Sequence, residues 1–453
     1  MTNQSGIKVI IVGAGFGGLA AAIECYRKGH DVEVFEQTPA FAMLGDLIVM
    51  TPNACRVIAK WGNVLPEVEK RCTWAEKATI RNDKGEVLHT QKMILENNGF
   101  PFCNTHRSYY QAAFYQYALS IGIKVHMNVR VTEYYEDNHK AGIVVNGERH
   151  TADVVIGADG VHSRCRHFVT GSEENPVSSG FAIYRGWFPL SALGNNPLTD
   201  DLRRGGDSMN AWIGPDVHAF VTVCKKLDSI AYVLTHKDEY EAKETWSFPG
   251  KVEDVLNVIR GWDPTLRTIV QATPKNKLID WKLLWRDPVK QWVSSKGRVV
   301  LLGDAAHPFL PSSGNGASQA VEDATTIATA LELAGKEKVA MALRAYETLR
   351  YERVCLAQRN GFETRHRWHK TNWKEFSKDA STINLPQPDW LYAHDAEAYT
   401  YERWDDVLEA MAQGKPFKST NTYAGHVHED WTVAGVMEAE REVAPPPALR
   451  ARL

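Results

Sequence analysis

The sequence has little with which to cross a membrane, staple itself together or grip a polyanion. No stretch of its 453 residues approaches the roughly 18 uninterrupted apolar side chains of a membrane span, the longest apolar runs being interrupted by Gly, Arg or Glu. Its 52 basic side chains are balanced by 55 acidic ones, so the formal charge of -3 builds no field for a nucleic-acid backbone or an anionic bilayer. The seven cysteines are odd in number and scattered, with no C-x-x-C pair and no zinc-like spacing, which predicts buried, reduced thiols. No C-x-x-x-x-C pair occurs either, and the disulfide oxidoreductases drop out. Sixteen histidines include no H-E-x-x-H, so no metal is expected. The opening MTNQSGIKVIIVGAG lacks the basic flank, apolar core and cleavage site of a secretory signal, and a cytoplasmic location is the expectation. What remains is a protein for small-molecule partners, expected as a monomer or homodimer.

What is present begins with length. A single core stops growing at about 250–300 residues, so two packed domains and an extension are expected. Ile7 to Val12 is a continuous apolar, β-branched run of the kind buried in a parallel sheet. Glycines turn the chain, a helical pattern runs from Phe16 to Lys28, Gly29 stands at a C-cap position, and Val32 to Phe35 is a second buried strand. This is one βαβ unit. Short runs around Asp83-Lys84-Gly85, and Gly142 to His150 with its Asn146-Gly147 turn, read as antiparallel hairpins decorating the same domain. A helix is predicted from Arg107 to about Ser120, and Asp153 to Gly160 reads as another buried strand and turn. From Phe181 to about Leu284 alternating strands followed by helices indicate an antiparallel sheet covered by helices. Arg298 to Ala306 returns to the first domain, helices fill Ala317 to about Trp368, and the tail closes on Pro445 to Pro447, where disorder is expected.

The hexapeptide GAGFGG places Gly13, Gly15 and Gly18 between a strand and a helix. The first permits the tight turn, the second lets backbone approach a pyrophosphate, and the third allows close helix-on-strand packing. The helix N-terminus offers free N–H groups to phosphates, and Glu36, after the second strand, stands at the distance of a ribose hydroxyl. A dinucleotide site follows. Asp304, at the end of a later buried strand, lies where open α/β sheets place ligand contacts, and Pro311 to Gly316 form a loop before a long helix.

Two long segments, DVVIGADGVHSRCR and RVVLLGDAAHPFLPSSGNGASQAVEDA, carry a family likeness. With the N-terminal motif they make the chain resemble the single-component FAD-dependent aromatic hydroxylases, the salicylate and p-hydroxybenzoate hydroxylase group. QWVSSKGRVVLLGDAAHP and WLYAHDAEAYT look like its fungal secondary-metabolite members. The resemblance covers roughly residues 7 to 370. It implies an α/β fold: a Rossmann-like FAD-binding domain with a parallel sheet, interleaved with an α+β antiparallel-sheet substrate domain and followed by a helical extension. The boundaries expected are 1–178 and 289–369 for the FAD-binding domain, 179–288 for the substrate domain and 370–453 for the extension. It further implies that Asp304 accepts from the ribityl chain and that Asp159 takes part in flavin and nicotinamide binding. Arg107 would lie beside the flavin phosphates, with Pro311, Gly314 and Gly316 at a helix N-terminus that stabilises negative charge on reduced flavin. Relatives run a Gly-x-Gly-Ile loop along the flavin ring, where this chain has Gly45 to Thr51 with Asp46 and no second glycine.

The implied reaction spends NAD(P)H, with NADPH placed ahead of NADH, and O2. A C4a-hydroperoxyflavin then hydroxylates or epoxidises an electron-rich aromatic, an indole alkaloid or a phenol. Arg185 is the catalytic candidate. Alternation along FAIYRGWF puts Phe181, Ile183, Arg185 and Trp187 on one face and Tyr184 on the other, in the core. A buried arginine requires a partner, which is either the substrate, as the fungal resemblance implies, or a core carboxylate, unless the side chain snorkels to solvent. Of fourteen tryptophans most are packing, with Trp187, Trp212 and Trp246 the candidates for a substrate pocket. His106 and His307 read as turn or capping residues. Two alternatives stay open. One is a flavin dehydrogenase or reductase on the same fold; a halogenase is disfavoured by the missing W-x-W-x-I-P. The other is an idle flavin-binding scaffold.

Overall fold

A computed structural model describes residues 5–41, 47–172, 177–238, 248–371, 376 and 379–442. Trp246, Gly45, Asp46 and the proline run Pro445 to Pro447 lie outside them.

The apolar run at the start of the chain becomes the strand Lys8–Val12, the centre of a five-stranded parallel sheet. Its neighbours are Val154–Gly157 on one side and Asp31–Phe35 on the other, with Val299–Leu301 and Lys124–His126 at the two edges. Burial on both faces explains the unbroken Val/Ile pattern: Val9, Ile11, Val155 and Val299 are all fully buried. The helices Phe16–Arg27 and Gly316–Ala334 pack together on this sheet. The Asn146-Gly147 hairpin forms as expected, as the strands Ala141–Val145 and Glu148–Ala152 joined by two residues with positive φ.

The second sheet has eight strands. In order they are Phe248–Pro249, Leu278–Trp285, Val177–Pro189, Ser229–Lys237, Val217–Cys224, Ser208–Gly214, Lys77–Asn82 and Val87–Lys92. The hairpin around Asp83-Lys84-Gly85 therefore does not decorate the parallel sheet. It extends this one, its first strand running parallel to Ser208–Gly214. Short alternating strands carry no label for which sheet edge they join, so their neighbours in sequence misled.

The two faces of this sheet differ. Tyr184, Phe188, Trp212, Val221 and Tyr232 pack under the helices Val252–Val258 and Pro264–Gln271. The opposite face, carrying Ile183, Arg185 and Phe220, turns toward the first domain and the long helix Val339–His369. The alternation read from FAIYRGWF holds.

The extension folds as short helices, among them Ala396–Glu402 and Trp404–Gln413, against the first domain. All seven cysteines are buried and unbridged. Among the described residues no helix is long and apolar enough to cross a membrane.

Candidate active site

A cavity of about 780 Å3 runs between the two sheets. Its first half is a trough over the C-terminal ends of the parallel strands. Gly13 takes φ +101, and a Cβ there would strike the carbonyl of Ala158, so only glycine turns the chain at this point. Gly18 lies beneath the trough, and its Cβ would sit 1.9 Å from the Gly13 carbonyl oxygen. That is the close helix-on-strand contact expected of the third glycine. At Gly15, by contrast, an added Cβ meets no protein atom within 4 Å. It would enter the cavity, at the N-cap of the helix Phe16–Arg27.

Glu36 ends the strand Asp31–Phe35 with its carboxylate already engaged. It accepts from the Ala14 backbone N–H at 2.7 Å and from the backbone N–H and hydroxyl of Thr38 at 2.7 and 2.6 Å. It still lines the trough. Asp159 caps the helix Arg164–Thr170 through the backbone N–H groups of Arg164 and Cys165 at 2.9 and 3.1 Å, with Ser163 donating at 2.5 Å. Burial raises its pKa against the pull of these bonds. Arg107 opens the helix Arg107–Ser120, its guanidinium 5.6 Å from the Phe16 ring centroid at the trough wall.

Asp304 is different from both acids. Its side chain projects into the cavity and no described residue donates a hydrogen bond to it. The surrounding protein raises its pKa above the ordinary 3.8, with His307 and Arg107 opposing. The turn that carries it is held from behind. Asp323 accepts from the Gly303 N–H at 3.1 Å, from His307 Nε2 at 2.6 Å and from Arg350 Nε at 2.8 Å. His307 is thus the partner of a buried carboxylate and not a turn residue, whereas His106 does cap its helix by accepting from Ser108. Across the cavity, Pro311, Gly314 and Gly316 lead into the helix Gly316–Ala334, whose N-terminus faces Val49 of the strand Leu47–Met50.

The second half is a chamber walled by the cavity face of the eight-stranded sheet. Arg185 is 3% exposed and lies over the Trp281 ring, 4.6 Å from its centroid. Phe220, Met209, Thr222 and His218 continue the wall, and Trp368 and Tyr392 close it from the long helix and the extension. Among the described residues the pocket tryptophans are therefore Trp281 and Trp368. Trp212 faces the other side of its strand and donates to Asp263 at 2.8 Å, and Trp187 packs its ring against His106, 5.0 Å away, outside the lining. Parity along its strand could have sorted Trp212, but not Trp187, which shares the face of Arg185.

Sequence reasoning also missed a buried charge network. Glu322 accepts from Arg350 and Arg353, all three at most 1% exposed, and although burial acts to raise it, Arg353 and Arg350 hold its pKa well below the carboxylate range. Arg353 donates in addition to the carbonyls of Trp390, Leu391 and Asn421, tying the extension to the helix that faces the trough.

The comparisons with known proteins agree with this geometry. A family described as an FAD binding domain matches residues 6–360. The chain belongs to that family. It is 35% identical over 437 residues to asperlicin C monooxygenase of Petromyces alliaceus, covering 92% of this chain and 94% of that one. It is 35% identical over 460 residues to the FAD-dependent monooxygenase mdpD of Emericella nidulans, covering 96% and 87%. Among solved structures, CtdE in complex with FAD and a substrate superposes with a TM-score of 0.84 at 35% identity, over 90% of this chain and all of that one. FqzB gives 0.85 at 34% identity, over 94% and 98%. The chain is an FAD-dependent monooxygenase of the kind found in fungal secondary metabolism.

The residues present fit FAD. The space at Gly15 is a cradle that a Cβ would fill, and the Asp304 carboxylate stands at the trough with no donor among the described residues.

Proposed function

We propose that this monooxygenase spends NAD(P)H and O2 to hydroxylate or epoxidise an electron-rich aromatic, an indole alkaloid or a phenol. The observation that carries the reading is the continuity of one cavity, from a trough built for a dinucleotide to a buried aromatic chamber. Bound FAD supplies the redox chemistry that activates oxygen. Gly13, Gly15 and the helix Phe16–Arg27 hold its pyrophosphate, Glu36 a ribose hydroxyl, Asp304 the ribityl chain and Arg107 the phosphates. The N-terminus of Gly316–Ala334 stabilises negative charge that develops beside it, while Asp159 orients the region where the transient nicotinamide donor meets the trough.

In the chamber Arg185 is the catalytic group. It orients the substrate's polar function and stabilises charge developing on it, in a site dry enough for one cation to count heavily. Trp281, Phe220 and Trp368 exclude water and stack on the ring. Asperlicin C monooxygenase bears the name of a substrate, and its similarity supports a secondary metabolite here.

The test is NAD(P)H consumption against indole alkaloids and phenols under isotopically labelled dioxygen. Substrate-stimulated consumption with label in the product is expected. Substrate-dependent flavin reduction without label would instead make the protein a dehydrogenase, and absence of stimulated consumption an idle scaffold.

A further inference from the structure

The cross-strand rows of the eight-stranded sheet give the chamber a length and two ends. Trp187, Ala231, Thr222 and Met209 form the row nearest the trough, where Trp187 packs on His106 beside Arg107. Arg185, Val233 and Phe220 form the next, and Ile183, Thr235 and His218 the one beyond. From Thr222 to His218 is four residues of strand, about 13 Å. The far end is completed by Trp368, whose ring centroid is 5.2 Å from that of His218, and by Leu385 of the extension.

His218 is 2% exposed and lines the cavity. Its Nδ1 lies 2.6 Å from Nε2 of His369. Two tautomer pairings satisfy that contact, and the far nitrogen chooses between them. His369 Nδ1 is buried with no hydrogen-bond partner among the described residues. A bare ring nitrogen is tolerable there, whereas an orphaned buried N–H is rare and costly. His369 therefore carries its proton on Nε2 and donates to His218 Nδ1, which leaves the His218 proton on Nε2, the nitrogen nothing else in the described protein engages. Both rings stay neutral: burial, with Arg365 adding, pushes His218 down to about 3, and burial, then the neighbouring His218 ring and Arg365, push His369 well below its ordinary value.

We propose that His218, held in this tautomer by His369, is a hydrogen-bond donor at the far end of the chamber that takes a neutral carbonyl oxygen on an extended, multi-ring substrate. The proposal rests on the reading of this chamber as the substrate site. It selects molecules long enough to span both ends: the aromatic edge that reacts lies at the trough, and a ketone or lactam oxygen lies about 13 Å away.

The experiment measures binding to oxidised, FAD-loaded protein without NAD(P)H, by flavin absorbance and tryptophan quenching, so it does not depend on turnover. The probes are an acetylcarbazole with the ketone on a terminal ring, the matching ethylcarbazole and the matching carbazole carboxylate. The ketone should bind roughly tenfold tighter than the ethyl compound, the worth of one desolvated neutral hydrogen bond. That ratio should collapse to about one in His218→Leu, fall in His369→Leu, and survive in His218→Gln, whose amide N–H replaces Nε2–H. Equal or undetectable binding of the ketone to the wild type overturns the proposal, as does a ratio unchanged in His218→Leu. Tightest binding by the carboxylate overturns it too, because the subsite would then belong to the Arg365 cation. Failure of the monooxygenase reading would show separately, as missing label in the product.

Discussion

The trough and the chamber are halves of one cavity, yet they are written in the chain in opposite ways. Most of the trough comes from contiguous segments, each a strand end plus the turn after it: Gly13 to Gly17, Phe35 to Gln37, Asp159 to Arg164, and Gly303 to Gly316, joined by Arg107 and the strand Leu47–Met50. The chamber takes alternate residues from five strands, the end of a long helix and the extension, no two of its wall side chains adjacent within a strand. A nucleotide is held largely through its phosphates and ribose, so backbone geometry and single acids at strand ends can bind it. A substrate is recognised by side chains, and a sheet exposes only alternate ones on any face.

The largest expected effect tests the trough alone. Gly15→Val drives a side chain into space that no described residue fills and that FAD is proposed to occupy, so FAD content should vanish while the apoprotein melts as before. Gly18→Val, a few residues on, should instead unfold the protein, because its Cβ overlaps the Gly13 carbonyl. Yellow protein from Gly15→Val would break the assignment.

Glu322→Leu strikes what joins the halves. It leaves Arg350 and Arg353 buried with too little counter-charge, and a loss of about 3–5 kcal/mol in denaturant unfolding is expected. Both FAD affinity and the chamber wall should suffer, since Arg353 also holds Trp390 and Leu391.

Arg185→Gln belongs to the chamber alone. FAD should stay bound, and product should fall by two to three orders of magnitude, about 2.7–4 kcal/mol of transition-state stabilisation, with hydrogen peroxide released in its place. A normal product yield with a lowered melting temperature would return the arginine to a structural role.

Asp304→Ala should weaken FAD by about 1.5–3 kcal/mol, roughly ten- to a hundredfold, with turnover restored by excess FAD. The same residue gives FAD binding a pH dependence. Its pKa in the cofactor-free protein is raised above 3.8, so the folded form holds a proton that the unfolded chain has released, and stability from this group is present at low pH and lost as pH rises through the raised value. FAD, donating to the ionised carboxylate, should bind tighter over that same window. A flat FAD affinity across it in the wild type would remove Asp304 from the ribityl contacts.

The smallest effect is expected at Trp212→Phe. It removes the donor to Asp263 on the helix side of the sheet, so stability should drop a little and turnover should not change. A changed product would put this tryptophan back in the chamber.

The sequence by itself determined the βαβ unit, the positions of Gly13, Gly15, Glu36, Asp159 and Asp304 at strand ends, the long helix after Gly316 and the inward face of Arg185. Each follows from local rules: apolar runs for buried strands, glycine where backbone must turn or make room, and period-two alternation. Only the tertiary structure decided that the Lys77–Asn82 hairpin extends the eight-stranded sheet, and that Trp281 and Trp368 line the chamber while Trp187 does not. It also decided that His307 serves Asp323, and that His218 meets a histidine 151 positions away. The physical reason is common to all four. A side chain's burial and direction are local, but its partner is set by which sheet edge or helix end arrives opposite it, and that depends on the packing of the whole chain.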